Sequence, residues 1–237
     1  MELRPDTPIW IIAHESHMWL LRGFAYTFNK YASPDCHVNV YCKEAPKFDM
    51  PDNFRFYRHG RHYFLREWSN SLIDLTKMIR QEYEQFVLML EDYWLTAKVD
   101  KTLINSLMLF AGMEDNLLRL DLSNDRASKA HRVYGKTAGG TDIVRSPSTA
   151  KYLMSFQAGI WNCDKLFEVL LPGESPWDVE ILGTRRLALK PQLKVLGTLV
   201  RPLTYVPVYR VKQNKFYSEK LPLADISVIQ KNGWDKR

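Results

Sequence analysis

The chain has 237 residues, a formal charge of +6 and a pI near 9.1; 46% of its residues are hydrophobic and 25% are charged. These values suit one soluble α/β domain with a full core, and they exclude a disordered or fibrous chain. No apolar run is long enough to span a bilayer, and Met-Glu-Leu-Arg-Pro at the start is no signal peptide. Three cysteines without metal-ligand spacing (Cys36, Cys42 and Cys163) point to reduced, buried thiols in a cytoplasmic protein.

Trp10-Ile11-Ile12-Ala13 reads as a first strand, ending at His14-Glu15-Ser16. A helix is expected over 18–31, where Trp19, Leu20, Phe24 and Phe28 recur at helical spacing, and Ser33-Pro34-Asp35 breaks it. Val38-Asn39-Val40-Tyr41 and Phe54-Arg55-Phe56-Tyr57 alternate as strands two and three. The segment Arg55-Phe-Tyr-Arg-His-Gly-Arg-His62 is the densest basic and aromatic mix; it reads as a strand end and loop, with phosphate or nucleic acid as the functional alternative. A long helix over 64–84 carries Leu65, Trp68, Leu72, Leu75 and Ile79 on one face.

The next segment, Phe86-Val-Leu-Met-Leu-Glu-Asp-Tyr-Trp94, reads as a buried strand ending on two adjacent acids, Glu91 and Asp92. A helix over 98–112 and a strand over 116–122 follow; residues 123–149 are polar and read as a long surface excursion. A strand is expected over 152–160, a short helix over 163–171, and a helix opened by Ser175-Pro176. Strands over 204–209 and 216–217 lead to a polar tail. Alternating strands and helices imply an α/β fold: a mainly parallel central sheet with helices on both faces. Ligands of such sheets bind beyond the carboxyl ends of the strands, which puts Glu91 and Asp92 on the same rim as the loop after the first strand.

Two acids on a ligand-binding rim call for a cation. Mg²⁺ or Mn²⁺ fits, being typically held by one or two carboxylates plus substrate phosphates. The alternative is that the acids cap the following helix or pair with surface Lys and Arg.

Phe86-Val-Leu-Met-Leu-Glu-Asp-Tyr-Trp94 resembles the acidic motif of nucleotide-sugar-dependent glycosyltransferases of the GT-A fold, in a bacterial and viral branch with a Glu-Asp-Tyr-aromatic version. Trp68-Ser69, Ser155-Phe-Gln-Ala-Gly-Ile-Trp161 and Pro172-Gly-Glu-Ser-Pro-Trp-Asp-Val-Glu180 resemble further segments of that branch, in the same order. The resemblance spans roughly residues 8–190 and implies a single GT-A-like domain over 1–237. Within it, about 8–115 would bind the nucleotide sugar, about 116–210 would form the acceptor side, and 211–237 would be a tail.

It further implies an inverting transfer, of a hexosyl or pentosyl group, from a nucleoside-diphosphate sugar, UDP by family habit. The motif's third acidic position is Tyr93, so Asp92, with or without Glu91, would hold any metal; Asp92 would face the diphosphate and Glu91 the ribose. An inverting transfer needs one carboxylate as base toward the acceptor hydroxyl. Glu180 and Asp178, two residues apart on a helix, cannot both face the site; Glu180 ranks first. Ala13, His14 and Ser16 follow the first strand, where GT-A enzymes bind the base, and Arg66, Trp68 and Ser69 complete the donor-side set. Gln157, Gly159, Trp161 and Trp177 form the acceptor-side set, and His131, Arg132 and Arg145 are candidates to close over a diphosphate. The acceptor ranks as a glycan hydroxyl ahead of a hydroxymethylated base in DNA. The rival readings are a nucleotidyltransferase, for which His14-Glu15-Ser16 supplies no Gly-rich phosphate loop, and a basic nucleic-acid-binding module.

Overall fold

The computed structural model describes residues 7–123, 131–210 and 213–236. Its strands are β1 (Ile9–Ile12), β2 (Val38–Cys42), β3 (Phe54–Arg58), β4 (Gln85–Leu90), β5 (Tyr93–Leu95), β6 (Leu117–Asp121), β7 (Arg132–Lys136), β8 (Asp142–Arg145), β9 (Gly159–Asn162), β10 (Lys194–Thr198), β11 (Tyr205–Pro207), β12 (Tyr209–Arg210) and β13 (Lys215–Phe216). The helices are α1 (Leu21–Tyr31), α2 (Trp68–Ile79), α3 (Lys101–Met113), α4 (Cys163–Phe167), α5 (Pro176–Ala188) and α6 (Leu223–Lys231).

Nine strands form one sheet in the order β3-β2-β1-β4-β9-β6-β10-β8-β7. β1 lies parallel to β2 and β4, β2 to β3, and β10 to β6; β9 opposes β4 and β6, and β8 opposes β10 and β7. All but β8 and β9 therefore share one direction. This is the mainly parallel, single-domain α/β layering expected for a GT-A-like chain.

Why the central strands are apolar without alternation follows from what covers them. Ile9 and Ile11 of β1 pack on one side of the sheet with Leu21, Phe24 and Phe28 of α1 and Leu107 of α3. Trp10 and Ile12 point to the other side, against Leu72 and Leu75 of α2, Leu166 of α4 and Val179 of α5. β4 divides the same way, with Val87 and Met89 on the first side and Phe86 and Leu88 on the second. Each such fully buried side chain contributes roughly 1.5–3 kcal/mol. The three cysteines are buried and in no disulfide, as expected.

Four expectations are corrected by the structure. The polar stretch after Ser123 is not merely an excursion: β7 and β8 form a hairpin that extends the sheet, anchored by buried Ile143 and Val144. Residues 124–130 lie outside the described residues. The strand expected over 152–160 begins only at Gly159, because earlier backbone donors go to side chains: Met154 N–H to Thr184, Phe156 N–H to Glu180 and Ala158 N–H to the Tyr205 hydroxyl. β10, in a stretch read without an element, pairs with β6 and β8. The tail holds α6, whose buried Asp225 accepts hydrogen bonds from Tyr26 and Tyr31 and pairs with Lys30.

The acidic turn is tied into this frame by Trp94. Its fully buried indole donates to the Glu91 carbonyl at 3.1 Å and packs against α1 at Gly23, where an added Cβ would sit 2.0 Å from ring carbon Cη2. Only glycine leaves room. Gly23→Ala is expected to lower stability by about 1–3 kcal/mol or more despite alanine's better helix propensity. A denaturant titration checks this; an unchanged midpoint would mean that the ring moves aside freely.

Candidate functional site

The parallel register of β1 and β4 places Ile12 beside Leu90 at their carboxyl ends. The chain after each strand therefore arrives at the same rim, His14 to His17 from one side and Glu91-Asp92 from the other. A cleft of about 310 Å³ opens there. Ile12, His14 and His17 line it from the first strand, Leu65 and Trp68 from the entry to α2, and Glu91, Asp92 and Tyr93 from the acidic turn. Phe156, Trp177 and Glu180 close the side opposite, and Tyr209, Arg210 and Gln213 add a rim. A narrower recess continues from it past Ile12, His14 and Trp68 toward Ala13, Lys43, His59, Arg61 and Tyr63.

The two acids differ in environment. Glu91 is buried and its carboxylate meets His17 Nδ1 at 3.2 Å. Asp92 keeps some contact with the cleft, but its carboxyl group is enclosed. Apart from its own backbone N–H, that carboxyl has no hydrogen-bond or ion-pair partner among the described residues. Burial, and then the charge of neighbouring Glu91, hold its pKa well above the ordinary carboxylate range. The Asp92 carbonyl accepts the Val208 N–H at 2.9 Å, and β5 pairs with β11, so the turn leads into a strand and not the helix that the capping alternative requires.

Glu180 stands on α5, and its Oε1 accepts the Phe156 N–H at 2.8 Å. Asp178 points away, into a capping box: its Oδ2 accepts from the Ser175 hydroxyl at 2.6 Å and from the Ser175 N–H at 3.2 Å, while the Ser175 hydroxyl accepts the Asp178 N–H. Sequence spacing left both acids open; the cap leaves Glu180 as the one lining the cleft. The Tyr93 ring lies tilted 4.8 Å from that of Tyr205, whose hydroxyl donates to Gln157 Oε1 at 2.5 Å. Arg119, fully buried, donates to the Gln157 carbonyl and pairs with Asp121 at 3.3 Å. Residues 156–158 are thus held from three directions under the acidic turn.

The expected site residues divide accordingly. Ala13, His14, Trp68, Glu91, Asp92, Trp177 and Glu180 line the cleft or its recess. Ser16 hydrogen-bonds His14 at 2.7 Å and is not on the lining, and Arg66 lies over the Phe64 ring on the outer surface. Ser69 is buried, with its backbone N–H donated to the Glu174 carbonyl and its hydroxyl accepting the Glu174 N–H. Gln157, Gly159 and Trp161 support the site from below; Trp161 stacks on Phe156 in the core, and a Cβ on Gly159 would meet Arg119 Nε at 2.8 Å. Arg132 and Arg145 lie on the hairpin at the far sheet edge, Arg145 donating to the Pro191 carbonyl. His17, Lys43, Phe156, Tyr209 and Arg210 were not expected at the site, whereas His59 and Arg61 of the recess fall in the Arg55–His62 segment, for which phosphate stood as the functional alternative. A signal for His17 existed, since it follows the first strand one turn after His14.

Could the site hold the divalent cation that the resemblance implies? Asp92 fits as a single carboxylate ligand, being on the cleft lining, largely enclosed and partnerless among the described residues. No group of three or more metal-ligating side chains occurs among the described residues, so phosphate oxygens or water would supply the other positions. Glu91 is engaged by His17, which leaves Asp92 the better-placed of the two.

No protein-family model matches the sequence, and no curated protein matches it. Among solved structures it is similar to a cytidylyltransferase from Leptospira borgpetersenii (11% identity, TM-score 0.46, 99% of this chain and 98% of that one). It is also similar to a mannose-1-phosphate geranyltransferase from Thermus thermophilus (11%, 0.46, 86% and 76%) and to S. aureus TarS residues 1–349 (13%, 0.46, 84% and 59%). At such scores the chemistry has to be read from the side chains of the site itself.

Proposed function

We propose that the chain is a transferase of the glycosyltransferase kind, moving a sugar from a nucleoside-diphosphate sugar, UDP-linked by resemblance, to an acceptor hydroxyl. The observation that carries this reading is the enclosed, partnerless Asp92 carboxylate facing a cleft whose other wall presents Glu180. A bare carboxylate in that position is costly unless the working state brings a cation to it.

In this reading the recess with Glu15, Lys43, His59 and Arg61, where Lys43 is paired with Glu15 and Arg61 with Asp74, takes the nucleotide end of the donor, and the diphosphate lies at Asp92. Bound Mn²⁺ or Mg²⁺ would neutralise charge on the departing diphosphate. His17, oriented by Glu91, hydrogen-bonds the donor from the β1 side. Glu180 receives the proton of the acceptor hydroxyl, with the Phe156 N–H fixing its carboxylate and Trp177 offering a ring face to the incoming group. The nucleotide-sugar half then corresponds to about 8–115 and the acceptor side to about 116–210. A glycan is preferred over DNA as the acceptor.

A thermal-shift panel of nucleotide sugars with and without Mn²⁺ tests this. One donor is expected to raise Tm, more so with the ion, and to be hydrolysed slowly to nucleoside diphosphate. Release of inorganic diphosphate from a nucleoside triphosphate would instead assign nucleotidyl transfer. Binding of no nucleotide sugar or nucleoside diphosphate at millimolar level would end the proposal.

A further inference from the structure

The mouth of the cleft carries apolar side chains that the core does not claim. Phe64 is 54% exposed, Leu65 38%, Trp177 39% and Ile181 44%. They belong together in space: Leu65 and Trp177 line the same cleft, and the start of α2 is bonded to the start of α5 through Ser69 N–H to the Glu174 carbonyl and Gly173 N–H to Asn70. Leu171, half exposed, lies beside that junction. Trp177, Ile181 and Arg185 are spaced by four and share one exposed face of α5. A cluster of this kind beside a ligand cleft marks an interaction surface.

Charge says what kind. Arg210 lines the mouth, Arg66 lies over the ring of Phe64 beside it, and Arg185 continues the exposed face of α5 two turns from Trp177; none of the three has an ion-pair partner among the described residues. Of the nearby acids, Asp74 is paired with Arg61, while Glu67 and Asp178 keep their charge but turn their oxygens to the Phe64 N–H and the Ser175 cap, so three arginines face two carboxylates that are unpaired among the described residues. The rim therefore combines aromatic and aliphatic tips with arginines that have no ion-pair partner among the described residues. We propose that this rim docks on an anionic phospholipid surface, so that the cleft opens onto the headgroup layer and the acceptor is carried on a lipid. Aromatic and aliphatic tips enter the headgroup–acyl boundary while arginines reach the phosphates. A nucleic acid would use the arginines and leave Leu65, Leu171 and Ile181 in water. The docking rests on the rim alone; only the lipid-borne acceptor rests on the glycosyltransferase reading.

Sedimentation of the full chain with vesicles separates the two. Phosphatidylcholine vesicles containing phosphatidylglycerol are expected to carry the protein down at low salt, and salt or pure phosphatidylcholine to reduce this. The double substitution I181E/R185E should weaken vesicle binding about tenfold or more, with Tm and nucleotide-sugar binding unchanged. Leu171→Glu, away from the cleft lining, gives a second reading should the first variant misfold. Failure to bind anionic vesicles at low salt, or binding that neither substitution weakens, overturns the docking. So does tight duplex DNA binding lost in I181E/R185E. Vesicle binding without any nucleotide-sugar binding would uphold the docking and sink the enzyme reading.

Discussion

Asp92→Asn is expected to abolish transfer and, at the same time, to make the protein harder to unfold. The two effects share one cause. In the folded chain the Asp92 carboxyl is enclosed beside the Glu91 charge and holds its proton to higher pH than it does unfolded. A group with a raised folded pKa favours folding most below its ordinary value, and that contribution is lost as pH climbs from the ordinary carboxylate range toward the raised one. At neutral pH the folded chain must therefore hold a proton on Asp92 that the unfolded chain gives up, a liability that the amide removes. A gain on the order of 1 kcal/mol would appear as roughly 2–4 °C in Tm for a chain of this size. It should be present at pH 7 and absent near pH 4. Mn²⁺ should raise the Tm of the native protein and leave the variant unmoved. Turnover should fall by roughly three orders of magnitude, the equivalent of several kcal/mol of lost charge stabilisation. Near-normal turnover with an unchanged melting curve would reduce the acidic turn to a structural feature.

The part of the site that could be read from the sequence is the part made by local patterns. β1 and β4 announce themselves as short apolar runs and β2 by its alternation, and Glu91-Asp92 ends the β4 run at the rim where ligands bind. α2 was legible from Trp68, Leu72, Leu75 and Ile79, all buried, while Leu65 at the same nominal spacing is at the cleft mouth because residues Leu65–Glu67 form a 3₁₀ turn before the helix. What could not be read depends on partners far along the chain. Gln157 looks like a site residue by motif, yet Tyr205, 48 positions later, holds its amide away from the cleft lining. Glu91 looks like the twin of Asp92 until His17 is seen beside it. The β7–β8 hairpin was illegible for another reason: as an edge element it buries few side chains, so its strands lack the apolar signal of the central ones.

The choice between Glu180 and Asp178 shows the same division, and it can be tested to opposite outcomes. Glu180→Gln keeps shape and retains an oxygen to accept the Phe156 N–H, but the amide cannot take a proton from an acceptor hydroxyl. Loss of a general base costs about 10²–10⁴ in rate, and because the group acts on the acceptor, donor binding should stay near native. Asp178→Ala should do the reverse. It removes one half of the α5 capping box and about 1 kcal/mol of stability, with the rate per folded molecule preserved because that carboxylate faces Ser175 and not the cleft. Measuring transfer and donor affinity alongside a denaturant midpoint for each variant separates the roles. A Glu180→Gln enzyme of native rate would move the base elsewhere on the cleft wall; an Asp178→Ala enzyme that is stable but inactive would hand the role to the acid that the cap is expected to occupy.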